Sequence, residues 1–191
     1  MAGRQAKILT DAQIAAVLNY VCKTRYPVRN RVIVLLSAKA GLRAGEIASL
    51  TWDMVLDPSG KVGPTIELRD HAAKYRGGRA IPLHQDLRTV LEALMPGTSQ
   101  REPVIESERG GPMTALSIVV WFHHVYRTVG LRGCSSHSGR RTFITRAARL
   151  VHKAGGSLRD VQILAGHRSI QTTQRYIDGD SDAQRRLVAL I

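Results

Sequence analysis

The 191-residue chain reads as a mainly α protein with one small antiparallel β-hairpin. Three observations predict this. Apolar residues recur at helical spacing along most of the chain. Only two short runs look like strands, VGPTIEL at 62–68 and RAIPL at 79–83. The composition, 43% apolar and 23% charged, is that of an ordinary globular protein long enough to bury a core.

The elements follow in order. A first helix is predicted over 11–24, with Thr10 as N-cap, Gln13 completing a capping box, and Ile14, Val17, Leu18 and Val21 as its apolar stripe. A second, rich in Val, Ile and Leu, runs from 28 to 40 and stops at Gly41. A short third covers 43–50. The two strand-like runs flank RDHAAKYRGG, whose glycine pair marks a turn, so they form a hairpin. Helical patterns resume at 84–95, 114–129, 136–153, 157–165, 169–177 and 180–190. There is no internal repeat, low-complexity tract or long linker. Residues 1–191 are therefore expected to form a single domain, with 1–8 as an N-terminal tail and 180–191 as a C-terminal helix.

Charge narrows the function. Twenty-eight Lys and Arg face fifteen Asp and Glu, a net charge of +13 and a pI near 10.7. Such a surplus implies a polyanionic partner, because each phosphate neutralised by Lys or Arg releases counterions. The basic residues are spread along the chain rather than gathered on one amphipathic helix, which fits a membrane surface less well. No apolar run reaches the length of a membrane span, and the opening MAGRQAKILTD lacks the apolar core of a signal peptide, so a cytoplasmic protein is expected. Cys22 and Cys134 are far apart and no CxxC occurs, which argues against a disulfide framework or a structural zinc site.

Four segments hold residues that could carry chemistry. In GLRAGEIASL, Arg43 and Glu46 are three apart at a helix start and share a face, so the carboxylate can orient the guanidinium; the plain alternative is a surface ion pair. In SSHSGRRTFIT, Ser135 or Ser136 can cap a helix that begins near His137 and puts His137 and Arg140 on one face. Gly139 inside that first turn costs up to about 1 kcal/mol against Ala, which suggests a close approach to the backbone. In LAGHRSIQTTQRYID, His167 and Tyr176 are nine apart, on opposite sides of any continuous helix. Gly166 and an N-cap at Ser169 suggest a break between them, after which a new helix from Ile170 could carry Tyr176 at its far end. Lys74 lies in the hairpin turn, where a lysine is ordinarily just solvated.

Taken in this order, the segments closely resemble the tyrosine recombinase, or phage integrase, family. That family has an Arg in a G-L-R-x-x-E-type segment, a Lys on a β-hairpin before a strand ending in P-L, then H-x-x-R, then L-G-H, and a Tyr nine residues after that His. Here the matching residues are Arg43, Glu46, Lys74, His137, Arg140, His167 and Tyr176, and the resemblance covers about 9–180. It implies the tyrosine recombinase catalytic-domain fold and a site-specific recombinase that cuts and rejoins DNA through a 3′-phosphotyrosine on Tyr176, without metal or cofactor. Arg43 and Arg140 would hold the phosphate, His137 would take the tyrosine proton, His167 would donate to a phosphate oxygen, Lys74 would protonate the leaving 5′ oxygen, and Glu46 would support Arg43. It also implies double-stranded DNA as partner, a monomer that becomes a homo-tetramer on DNA by exchanging the C-terminal helix, and accessory DNA-bending proteins. Alternatives with the same features are a type IB topoisomerase-like enzyme and a DNA-binding regulator with a vestigial site. Three departures stand out. Gly139 occupies a position usually held by Leu, Arg141 one where many members carry His, and no N-terminal core-binding domain is expected, so the chain resembles either the short, single-domain fimbrial phase-variation invertases or equally an excised catalytic fragment.

Overall fold

The structure, a computed structural model, describes residues 6–73, 77–95, 102–176 and 188–189. The chain divides into two compact units, Met1–Phe143 and Ile144–Ile191.

In the first unit the predicted capping box opens helix α1, Asp11–Val21: Thr10 Oγ1 accepts from the Gln13 amide, and the Gln13 side chain accepts from the Thr10 amide. Ile14, Val17 and Val21 are buried as expected, and the helix stops three residues earlier than its pattern suggested. Helix α2, Pro27–Lys39, starts one residue early because proline at the first helical position loses no hydrogen bond. Residues 32–38 are all buried, so α2 is the central rod of the unit, packed against α1 and the later helices α3, Ala44–Ala48, and α4, Gln85–Leu94. It ends at Gly41, whose φ of +66° is left-handed. Helix α3, Ala44–Ala48, follows with Arg43 at its N-cap position, and packs on the later helix α5, Ala115–Thr128. Helix α4 spans Gln85–Leu94, its first turn closed by His84 Nδ1 accepting from the Asp86 amide.

The hairpin is present. Strands β1, Thr65–Leu68, and β2, Arg79–Pro82, pair antiparallel with Ile66 opposite Ile81 and Leu68 opposite Arg79. Ile66, Leu68, Arg79 and Ile81 form the buried face, so one guanidinium is embedded among apolar side chains. At the mouth of the connecting turn, Asp70 Oδ1 accepts from the Gly78 amide at 2.8 Å. A Cβ on Gly78 would stand 2.8 Å from the Leu68 carbonyl oxygen, so only glycine fits. Lys74, within the turn, lies outside the described residues.

The sequence reading did not include a 3₁₀ turn at Trp52–Met54, or the isolated bridges Thr51 to Pro103, Leu56 to Val62 and Glu106 to Pro112. Single bridges have no periodicity to detect.

Helix α6, Ser138–Leu150, has residues on both sides of the division. The expected helix over 136–153 changes character at its end, becoming a 3₁₀ turn over Val151–Ala154 closed by left-handed Gly155. A capping box of Ser157 and Asp160 opens α7, Leu158–Ala165, and left-handed Gly166 ends it. Helix α8, Ile170–Gln174, packs on α7. The helix expected over 180–190 lies outside the described residues apart from 188–189. Among the described residues, no helix is long and apolar enough to cross a membrane.

Candidate active site

The first unit holds a buried charge cluster at the start of α3. Glu46 is almost wholly buried, with about 1% of its side chain exposed. Its Oε1 accepts from Arg43 Nη1 at 2.6 Å and its Oε2 accepts from the Arg43 amide at 2.9 Å. Arg79, reaching in from β2, donates to both carboxylate oxygens, Nη1 to Oε1 at 3.1 Å and Nη2 to Oε2 at 3.0 Å. Burial alone would push this carboxyl up, but the bidentate Arg79, and Arg43 after it, hold it down at about 2. The expected pairing of Arg43 with Glu46 is therefore present, as one part of a three-residue cluster.

Arg79 was not among the residues singled out from sequence. A signal for it exists. In a period-two strand Arg79 shares the face of Ile81, and a charge on an apolar face needs a partner. The identity of that partner, 33 residues earlier, is a matter of tertiary packing.

The start of α6 supplies the next pair. Of the two candidate caps, Ser135 acts: its Oγ accepts from the His137 amide and its carbonyl from the Ser138 amide. His137 is exposed just ahead of the helix, and its carbonyl accepts from the Arg141 amide. Arg140 is buried, and its Nη1 donates to the carbonyl of Gly41, two residues before Arg43. Two arginines nearly a hundred positions apart are thus brought to one short stretch of backbone. Gly41 is required there twice over, by its positive φ and because a Cβ would collide with the Phe143 ring.

Gly139 shows the close approach its helix position suggested. Its neighbour is Ser37 of α2: a Cβ on Gly139 would strike the Ser37 hydroxyl and come within 3.0 Å of the Ser37 Cβ. The absence of the customary Leu is therefore matched by the packing of α2 onto α6. Gly139→Ala should lower stability by about 1–3 kcal/mol through overpacking, although Ala is the better helix former. In a Ser37→Gly background most of that penalty should vanish; thermal melts showing the same penalty in both backgrounds would contradict the contact. Arg141 also has a role here, since its Nη1 donates to the Ala6 carbonyl at 3.0 Å while Thr142 Oγ1 accepts from the Leu9 amide at 2.8 Å. Together they fasten the N-terminal segment to α6.

The second unit brings His167 and Tyr176 together. Gly166 turns the chain out of α7 with φ of 60°, and α8 begins only at Ile170, so the break inferred from Gly166 and Ser169 is real. The two rings stack with centroids 5.6 Å apart and planes 23° from parallel. Tyr176 sits in the turn just past α8, its amide donating to the Thr173 carbonyl, rather than at the end of the helix itself. His167 Nδ1 lies 2.9 Å from the hydroxyl of buried Thr173. Its backbone exchanges hydrogen bonds with Gln162, whose side chain donates to the His167 carbonyl and accepts from Arg159. Thr173 fixes the ring and Gln162 the backbone that carries it, and neither stood out in the sequence.

The first unit therefore gathers Arg43, Glu46 and Arg140, with His137 at the lip of α6, and the second gathers His167 and Tyr176.

Known proteins share this fold. The Tn1549 transposon integrase, solved in complex with a circular intermediate DNA, superimposes with a TM-score of 0.76 at 20% identity, covering 100% of this chain and 67% of that one. The crystal structure of XerA recombinase gives 0.73 at 20% identity, covering 100% and 65%. These likenesses show the tyrosine recombinase catalytic-domain fold. In sequence, the chain is 30% identical over 178 residues to tyrosine recombinase XerC of Myxococcus xanthus, covering 89% of this chain and 57% of that one. It is 29% identical over 155 residues to tyrosine recombinase XerC of Brucella suis biovar 1, covering 80% and 47%. The chain thus spans about half the length of these curated relatives. The phage integrase family pattern matches residues 7–182, a stretch that takes in both charge-bearing units from Arg43 to Tyr176, and the chain belongs to that family.

Proposed function

We propose that this chain is a tyrosine-type site-specific recombinase that cleaves and rejoins double-stranded DNA through a 3′-phosphotyrosine at Tyr176. The observation that carries this reading is the ring of Tyr176 stacked on His167, a phenol placed against an imidazole by the break between α7 and α8.

The chemistry follows from the residue types. Attack of the Tyr176 oxygen on a phosphodiester forms the Tyr–O–P bond and breaks the P–O5′ bond. His137 takes the phenolic proton and Lys74 gives one to the departing 5′ oxygen. Negative charge gathering on the non-bridging oxygens is met by Arg43 and Arg140, whose planar guanidiniums donate in pairs and stay charged. His167, its Nδ1 side set by Thr173, presents Nε2 to a phosphate oxygen. The phosphoester energy is kept in the phosphotyrosine, so a 5′-hydroxyl from another strand can reverse the step. A net charge of +13 supports DNA as the substrate, and DNA in turn implies action in the cytoplasm. On DNA the protein is a homo-tetramer that exchanges its C-terminal segment between neighbours, with accessory bending proteins shaping the site.

The polarity of the linkage tests this reading. Mixed with fragmented genomic DNA and quenched in SDS, the chain should recover DNA joined through its 3′ end, leaving a 5′-hydroxyl that a kinase can label without prior phosphatase treatment. A 5′-linked adduct, or no covalent adduct on any DNA, would overturn it.

A further inference from the structure

We propose that Lys7 and Arg132 clamp a backbone phosphate of the DNA substrate, other than the scissile one, on the turn that leads into α6. The clamp rests on the recombinase reading above, which makes DNA the substrate.

Two separate pieces of backbone bring these cations together. Arg132 lies in the turn between α5 and α6. That turn is held tight: the amides of Gly130, Leu131 and Cys134 donate to the carbonyls of Arg127, Tyr126 and Leu131. Lys7 lies on the N-terminal segment, which α6 grips on either side of it. Arg141 Nη1 donates to the Ala6 carbonyl, and the Leu9 amide donates to Thr142 Oγ1. A lysine fixed at both flanks has its stem aimed, and here the stem lies along the turn. Gly133 makes room for it. Its φ is +81°, and a Cβ there would stand 3.0 Å from Lys7 Cε and 3.5 Å from Lys7 Nζ. The ammonium therefore rests on bare backbone, one residue beyond Arg132.

The result is a solvent-open cleft of about 220 Å³ whose lining includes Lys7, Gln13 and Arg132 and no carboxylate. Among the described residues, neither the Lys7 ammonium nor the Arg132 guanidinium has an ion pair. Two cations on one cleft repel each other, and an anion between them relieves the repulsion. Gln13 adds a neutral donor, since its Oε1 accepts from the Thr10 amide and its NH₂ group remains to donate. A phosphodiester suits this lining, because its two non-bridging oxygens accept from charged donors and its neutralisation releases counterions. The position gives the clamp a purpose. The gripped segment is tied to α6 and the turn runs into it, and α6 follows His137 and carries Arg140. A phosphate held there sets the DNA against the element that does the chemistry, so the clamp acts on affinity and register rather than on the bond-breaking step.

The test is the salt dependence of binding to a mixed-sequence DNA duplex, for the parent and for Lys7→Gln combined with Arg132→Gln, between about 50 and 300 mM salt. Losing one phosphate contact should flatten the slope of log affinity against log salt by about 1, a loss of about tenfold near 0.1 M salt that fades toward 1 M. Adduct formation on fragmented genomic DNA at saturating protein should stay within threefold. Lys7→Arg combined with Arg132→Lys, which keeps both charges, should keep the parent slope. Both cations are exposed, so the Gln pair should melt like the parent. A Gln pair with the parent slope overturns the clamp. So does an equal flattening by Lys23→Gln combined with Arg31→Gln, exposed cations elsewhere in the first unit, since the effect is then one of net charge alone. Slowing of adduct formation by tenfold or more at saturation also overturns it, because the pair then serves the chemistry. Inorganic phosphate supplies a second arm. If it raises the melting temperature of the parent but not of the Gln pair while their DNA slopes coincide, the cleft takes a free anion and not DNA. A parent chain that binds no DNA overturns the recombinase reading and the clamp together, whereas a parent that binds and forms adducts while the Gln pair is unchanged overturns the clamp alone.

Discussion

Arg140→Ala should slow strand cleavage by about 10³–10⁵, the range seen when a transition-state arginine is removed from phosphoryl transfer. The size follows from its position. Arg140 is buried, its Nη1 is anchored on the Gly41 carbonyl, and that anchor sits two residues before Arg43. The substitution removes one of two cations and also leaves a buried carbonyl short of a donor, at a cost of about 1–3 kcal/mol in stability, so melting must be followed together with rate. A substrate carrying sulfur at the 5′ bridging position separates charge stabilisation from leaving-group protonation, because a thiolate departs without a proton. Arg140→Ala should stay slow on it, while Lys74→Ala, slow on ordinary DNA, should be largely restored. If sulfur rescues Arg140→Ala as well, the arginine acts on the leaving group; if it fails to rescue Lys74→Ala, the lysine is not the acid and His137 takes its place as candidate.

Tyr176→Phe should abolish covalent adduct formation altogether while leaving DNA binding within about twofold, since the change deletes a single oxygen and no phosphate contact. The stack on His167 uses the ring, which phenylalanine keeps, so the fold of the second unit should be preserved. A Phe variant that still forms an SDS-resistant adduct would mean another residue is the nucleophile. Loss of binding along with the adduct would mean that the hydroxyl serves the fold or the DNA contact.

Much of this was legible in the sequence, for local reasons. The capping box of Thr10 and Gln13, the stop at Gly41 and the break between Gly166 and Ser169 each depend on residues within a few positions of one another, and each is present in the structure. The approach to Gly139 was legible as a fact but not as a partner. A glycine in a helical turn signals crowding, yet that the crowding comes from Ser37, about a hundred residues earlier, depends on how α2 crosses α6. Arg79 shows the same limit more sharply, since strand periodicity places it inward but cannot pair it with Glu46. The helix ends were misjudged by a few residues where packing or a 3₁₀ turn took over, as at Val21 and Leu150. The isolated bridges near Thr51 and Glu106 were invisible because each is one residue pair long.

The most direct test of the central claim is to trap the adduct on a nicked suicide duplex, digest it with nuclease and protease, and identify the modified peptide by mass spectrometry. The nucleotide should be found on Tyr176, attached through its 3′ phosphate. A nucleotide on any other side chain, or one attached through a 5′ phosphate, would contradict the account.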